Sequence, residues 1–292
     1  MGSDQSTDGA PSEYARLAAQ HGLQLQVGRP PFGKYLRDLW LSRNFIWALA
    51  TTRTYARNEN TYLGQVWSIL NPLLYASVFY VVFGKILGTG RGIDNFTGFL
   101  IVGVFVFQFC SGALSSGSSA IVGNTAMIRS LRFPRAVLPI ASVVTEFLTL
   151  LPAIVVMFVI VNITGERPSW TWLLTVPMFL VIAIFNAGIS LVTARLVAQQ
   201  RDLKNLIPVA VQLLRYMSGV FFSIQQRVPD GFAGDLMLYQ PYALSLEVIR
   251  GCLLAEFSLN WTQVVVMCGW AAVLSVGGLI FFWRAEGRYG VE

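Results

Sequence analysis

Few side chains in this sequence combine a reactive type with a spacing that could support chemistry. The segment Gly28-Arg29-Pro30-Pro31-Phe32-Gly33-Lys34 fits G-x-x-x-x-G-K and follows an alternating Leu23-Gln24-Leu25-Gln26-Val27. A phosphate loop needs Ser or Thr next, to ligate magnesium, and this chain has Tyr35. Pro30 and Pro31 also lack the N–H groups that would cradle phosphates. The match is therefore a coincidence of spacing, and the chain is not expected to hydrolyse ATP. Its one histidine, His21, lies in a polar tail, so neither a Ser/His/Asp triad nor an imidazole metal cluster can form. Asp38 and Glu59 stand too far from other carboxylates to act as an acid/base pair. Cys110, Cys252 and Cys268 sit in apolar or weakly polar contexts and read as packing residues.

More suggestive groups lie inside apolar stretches. Glu146 and Arg215 are the two charges well within them, and such a pair either neutralises itself as a structural bridge or lies on a translocation path. Trp67, Asn71, Tyr75, Phe79 and Phe83 recur every four residues, lining one helical face with rings and an amide. Sugar rings can stack on such a face, and so can a neighbouring helix or lipid. Phe105, Phe109 and Tyr216 could add rings from other segments. The run Ser111-Gly112-Ala113-Leu114-Ser115-Ser116-Gly117-Ser118-Ser119-Ala120 permits close helix contact or a smooth pore wall. Over 124–133 Asn124 can cap a short helix with an apolar side of Met127, Ile128 and Leu131, interspersed with Arg129 and Arg132 and ended by Phe133-Pro134. A soluble partner could grip such a helix.

The elements that must position these residues follow from composition. Of 292 residues, 54% are apolar and 12% charged, with mean hydropathy +0.58. A soluble domain carries about 25% charged residues, so lipid must be the main solvent. A helix crossing the bilayer needs about 20 apolar residues. Six segments qualify, at about 66–87, 96–122, 136–163, 172–197, 206–224 and 262–283, with Pro72, Pro152, Pro177 and Pro208 inside or at their mouths. The segment 225–261 holds pieces, 232–238 and 242–257, too short or polar to cross, and reads as re-entrant or interfacial half-helices. Residues 1–31 form a soluble tail. Over 32–51, positions 32, 35, 36, 39, 40 and 43 share one face, apolar but for Arg43, so an amphipathic helix should lie in the interface. With six spans both termini share a side. That side holds 15 of the 21 Lys and Arg against five opposite, which makes it cytoplasmic and explains the net charge of +6 without any nucleic-acid partner.

In segment order the sequence resembles the membrane subunits of ABC-2-type transporters that export polysaccharides, over about residues 32–290. The resemblance rests on Tyr62-Leu63-Gly64-Gln65-Val66-Trp67-Ser68-Ile69-Leu70-Asn71-Pro72-Leu73-Leu74, the loop with Phe133-Pro134-Arg135 and Leu138-Pro139, Arg201-Asp202, and Gln240-Pro241 followed by Glu247 and Arg250. The pattern is most similar to actinobacterial galactan-lipid exporters, with O-antigen and teichoic-acid exporters as relatives. It departs at Gln240, where relatives often carry Asn. The resemblance implies an all-α, six-span plasma-membrane subunit that forms a homodimer above two copies of a separate nucleotide-binding ATPase. That ATPase would hold ATP and magnesium, with no cofactor on this chain. Residues 124–133 would be the coupling helix and 32–51 the interface helix on the inner leaflet. A lipid-linked glycan would thread a channel between subunits. Arg43, Arg53 and Arg57 would suit its pyrophosphate or the lipid headgroups. Export of a hydrophobic drug or lipid by the same architecture is the alternative, and a membrane-embedded glycosyl- or phosphotransferase lacks the clustered carboxylates it needs.

Overall fold

A computed structural model describes residues 30–57, 62–88, 92–227 and 231–286. The expected tail falls outside them except at positions 30 and 31, as does His21. Among the described residues the structure is helical, without strands. Two helices precede the first long apolar segment, α1 (Phe32–Leu41) and α2 (Arg43–Ala56). The expected single interface helix is thus broken at Ser42, whose Oγ turns back to the Asp38 carbonyl at 2.8 Å. Gly33 and Lys34, the end of the phosphate-loop spacing, lie inside α1, while Gly28 falls outside the described residues. Tyr35 is buried while Trp40, Leu41 and Trp47 remain exposed, the arrangement of a helix with an apolar side left for lipid.

Among the described residues five helices are long and apolar enough to cross a membrane, and they correspond to five of the six expected spans, four of them to within two residues: α3 (Trp67–Phe79, prolonged as a π-helix through Tyr80–Ile86), α4 (Phe96–Ser118), α6 (Val137–Ile163), α7 (Thr171–Gln199) and α12 (Trp261–Trp283). The second expected span is shorter than its apolar run, because after Ser118 the chain turns through Val122–Asn124 into α5 (Thr125–Ser130). The fifth is corrected more deeply. Its helix, α8 (Leu203–Met217), has 15 residues, or about 22 Å of rise against roughly 30 Å of hydrocarbon. Gly219, at φ +70°, stops it, in a left-handed conformation that glycine takes freely. Three short helices follow, α9 (Ile224–Arg227), α10 (Phe232–Leu238) and α11 (Pro241–Leu253), within the segment whose pieces looked too short to cross.

Helix α4 is the centre of the bundle, packed by α3, α6, α7, α8 and α11, and 78% of its most apolar window is buried. Close approach of α7 and α12 depends on Gly188, where a Cβ would stand 2.4 Å from the Leu274 backbone. A second apolar cluster, around Tyr35, Ile128, Ala136, Leu138, Leu191 and Phe282, joins α1 and α5 to the ends of α6, α7 and α12. There the Glu286 carboxylate accepts from the Tyr35 hydroxyl at 2.9 Å and the Arg135 N–H at 2.8 Å. Cys110 and Cys252 are buried as expected. Cys268 is exposed, on the outward side of α12, so it does not pack.

Candidate functional site

A cavity of about 320 Å³ lies between α3, α4, α6 and α8. Helix periodicity explains its lining: Trp67 and Asn71 stand one turn apart on α3, and Phe105, Gln108, Phe109, Gly112 and Ser115 recur at spacings of three and four on α4. Four of the seven expected channel residues, Trp67, Asn71, Phe105 and Phe109, therefore meet there, beside the small-residue run of the second apolar segment. A neighbouring cavity of about 160 Å³ takes Tyr75 and Phe79 and shares Gln108 and Arg215 with the first. Tyr216 lines neither of these two cavities but faces Phe221, at 5.8 Å between ring centroids.

Phe221 is the hub that sequence reasoning missed. Its ring stacks on Phe83 at 4.4 Å and meets Phe79 at 4.5 Å, joining the α3 stripe to the segment after α8. As part of an expected continuous helix, nothing distinguished it from its neighbours. Gln108 was also missed, although a lone amide between Phe107 and Phe109 is a signal in an otherwise apolar run.

Glu146 and Arg215 both line the large cavity without pairing. Glu146 instead takes Arg57, at 3.0 Å, with Arg57 about half exposed and Glu146 largely covered. Gly112 makes room for the carboxylate, since a Cβ there would meet its Oε2 at 2.8 Å. Arg215 stands 5.4 Å from the Phe107 ring centroid, and its buried Nε has no hydrogen-bond partner. The cavity thus combines ring faces, amides and hydroxyls with a neutralised ion pair and an additional guanidinium. That is a surface for polyhydroxylated or anionic molecules, not for hydrocarbon alone.

The three arginines expected at phosphate or headgroups are placed differently. Arg43 is exposed, 5.7 Å from the Trp40 ring centroid. Arg53 donates to Asn124 Oδ1 at 2.8 Å and Ser142 Oγ at 3.3 Å, tying α2 to the turn before α5, and burial lowers its pKa. Asn124 does not cap α5 with its side chain. Its Nδ2 donates to the Ala120 carbonyl at 2.7 Å and its Oδ1 is taken by Arg53. The apolar side of α5 turns inward, with Ile128 buried, Met127 packed on the second cluster and Phe133 edge-on to Phe45 at 5.3 Å. Arg129, Leu131 and Arg132 are left exposed.

Comparison with known proteins agrees with this architecture. A family model described as ABC-2 type transporter matches residues 44–254. The chain is 28% identical over 234 residues to the O-antigen export system permease protein RfbA of Klebsiella pneumoniae, covering 80% of this chain and 88% of that protein. It is 26% identical over 253 residues to the protein of the same name from Myxococcus xanthus, covering 87% and 94%. The match spans α2 through α11, from the helix that carries Arg53 to the one that carries Glu247 and Arg250, and on that ground the chain belongs to the ABC-2 type transporter family.

Proposed function

We propose that this chain is the membrane subunit of an ATP-driven exporter, moving a lipid-linked polysaccharide, galactan or O-antigen-like, from the cytoplasmic to the outer side of the plasma membrane. The observation that carries this reading is the convergence of Trp67, Asn71, Phe105, Gln108 and Phe109 with Arg57, Glu146 and Arg215 on one cavity. Rings offer stacking faces to sugars, amides pair with hydroxyls, and the guanidinium of Arg215 suits the phosphates that join glycan to lipid. The names of the relatives support the same substrate class.

Two of the four helices that frame the cavity, α3 and α8, are also the least covered of them. Two copies of the chain meeting along them would enclose a continuous conduit. The work comes from a separate nucleotide-binding ATPase in two copies, which holds ATP and magnesium, while this chain carries no catalytic group of its own. Arg129, Leu131 and Arg132, exposed on and just after α5, are the contacts for that partner. Packing of α5 against α1, α6 and α12 then passes its displacement to the bundle. Differential contact with the two nucleotide states of the ATPase supplies the driving free energy. The basic charge bias supports a cytoplasmic position for α5 and both termini, with α8 and the turns that follow it carrying the chain across together.

The test measures glycan delivered to the outer surface in cells that depend on this chain. Replacing Trp67 and Asn71 together by Ala removes a stacking face and an amide, and should lower export at least about tenfold, the equivalent of ~1.4 kcal/mol. The variant protein should remain in the membrane at wild-type abundance. Undiminished export at wild-type abundance would overturn the reading.

A further inference from the structure

A third cavity, of about 220 Å³, lies at the end of the bundle opposite α5, where the turn after α8, α9, α11 and the start of α12 converge. It has room for about seven water molecules, the scale of one sugar ring. Eight of its nine lining residues are polar, an unusual surface in a chain that is 54% apolar. Ser223, Glu247 and Gln263 form its buried part, and the exposed Gln225, Glu256 and Asn260 form its mouth. The remaining apolar group is Phe257, half-buried, with one side toward Phe99 at 5.4 Å between centroids.

Ser223 is 2% exposed, and its Oγ has no hydrogen-bond partner. Burying a hydroxyl without a partner is costly, so a group that enters the cavity and bonds to it is favoured. Both carboxylates are already engaged. Glu247 pairs with Arg250 at 3.1 Å, and Glu256 accepts the Asp94 N–H at 2.9 Å. What the cavity adds is neutral amides and hydroxyls, which donate and accept alike, beside one ring. That set matches a polyhydroxylated neutral ligand better than a metal ion, which would need several uncommitted oxygens. The walls are held in place: Glu166 Oε2 accepts the Ala255 N–H at 2.9 Å and Thr171 Oγ1 donates to the Cys252 carbonyl at 2.8 Å.

We propose that this cavity is a binding subsite for a single sugar residue, which rests on the exporter reading for its placement on the path of the glycan, at the exit side. A chain that leaves the conduit one residue at a time would be held there against backsliding. The probes are free galactose, glucose and mannose with the full-length protein in lipid nanodiscs, followed by saturation-transfer NMR, and calcium chloride titrated calorimetrically. At least one sugar should bind, Gln263→Leu and Gln225→Ala should each weaken it about tenfold or more, and calcium should not bind. Gln225→Ala changes an exposed side chain, so it reports on the subsite even where Gln263→Leu disturbs folding. Absence of binding by all three sugars, equal binding by wild type and both variants, or calcium in place of sugar would overturn the subsite. Export in cells is scored in parallel. Export retained with sugar binding absent removes the subsite and leaves the exporter reading standing. Sugar binding that is sensitive to both substitutions, in a chain that exports no glycan, keeps the subsite and removes the exporter reading.

Discussion

Helices α8 and α11 are close in length, 15 and 13 residues, and each carries an arginine in its last turn, yet they occupy opposite environments. No residue of α8 is buried, whereas every residue of α11 from Tyr242 to Leu253 is. Lying against α4, α7 and α12, α11 inserts Arg250 with no exposed surface. The Arg250 guanidinium donates to the carbonyls of Gly219 at 3.0 Å and Val220 at 3.2 Å, and to Glu247. Those carbonyls belong to the turn just past the end of α8. The buried helix therefore holds the turn at which the uncovered one stops. One element is clamped on all sides, and the other keeps its faces free for lipid, for substrate or for a second copy.

The comparison can be broken most directly at the clamp. Arg250→Met strands the Glu247 carboxylate and removes the donor to the Gly219, Val220 and Phe99 carbonyls, which should cost about 3–5 kcal/mol. Thermal unfolding of the detergent-solubilised protein should show it, and Arg250→Met with Glu247→Leu should recover much of the loss. A single substitution without effect would mean that α11 is not held by this contact. Next in size is Gly188→Leu at the α7–α12 crossing, where the added side chain meets the Leu274 backbone. Overpacking of about 1–3 kcal/mol should lower the unfolding temperature.

A smaller effect is expected at Glu286, whose pKa burial raises, against the opposing hydrogen bonds from the Arg135 N–H and the Tyr35 hydroxyl and the Arg135 charge. With its folded pKa above its unfolded one, the folded state holds the proton more tightly. Stability conferred by this group is present at low pH and declines as pH rises from the ordinary carboxylate range through the raised value. Glu286→Gln should flatten that part of the stability–pH profile, and an unchanged slope would contradict the assignment. Smallest of all is Leu213→Ala on α8. Its side chain is 59% exposed, so truncation leaves no internal cavity, and the change should stay within about 0.5 kcal/mol. A loss there as large as at Arg250 would erase the contrast between the two helices.

Much of the architecture was legible because the bilayer imposes a simple rule on composition. Long apolar runs bounded by polar turns place α3, α6, α7 and α12 to within a few residues, and the start of α4. The four-residue recurrence from Trp67 to Phe79 likewise puts rings on one face of α3 whatever packs against it. The end of α8 was not legible, because the apolar run continues through Val220, Phe221 and Phe222 while Gly219 turns the backbone and Arg250, thirty-one residues on, takes up its carbonyl. Nor could hydropathy foresee that Glu146 would choose Arg57 over Arg215, since the choice depends on which helix ends lie beside Gly112.

The sequence by itself determined that this is a helical membrane protein, where most of its spans lie and which faces carry rings, because those properties follow from local composition and period. Only the tertiary structure decided which of two short helices is buried, which charges pair, and which polar groups gather into cavities. These are relations between residues tens to hundreds of positions apart, and they come from the packing of whole helices around α4.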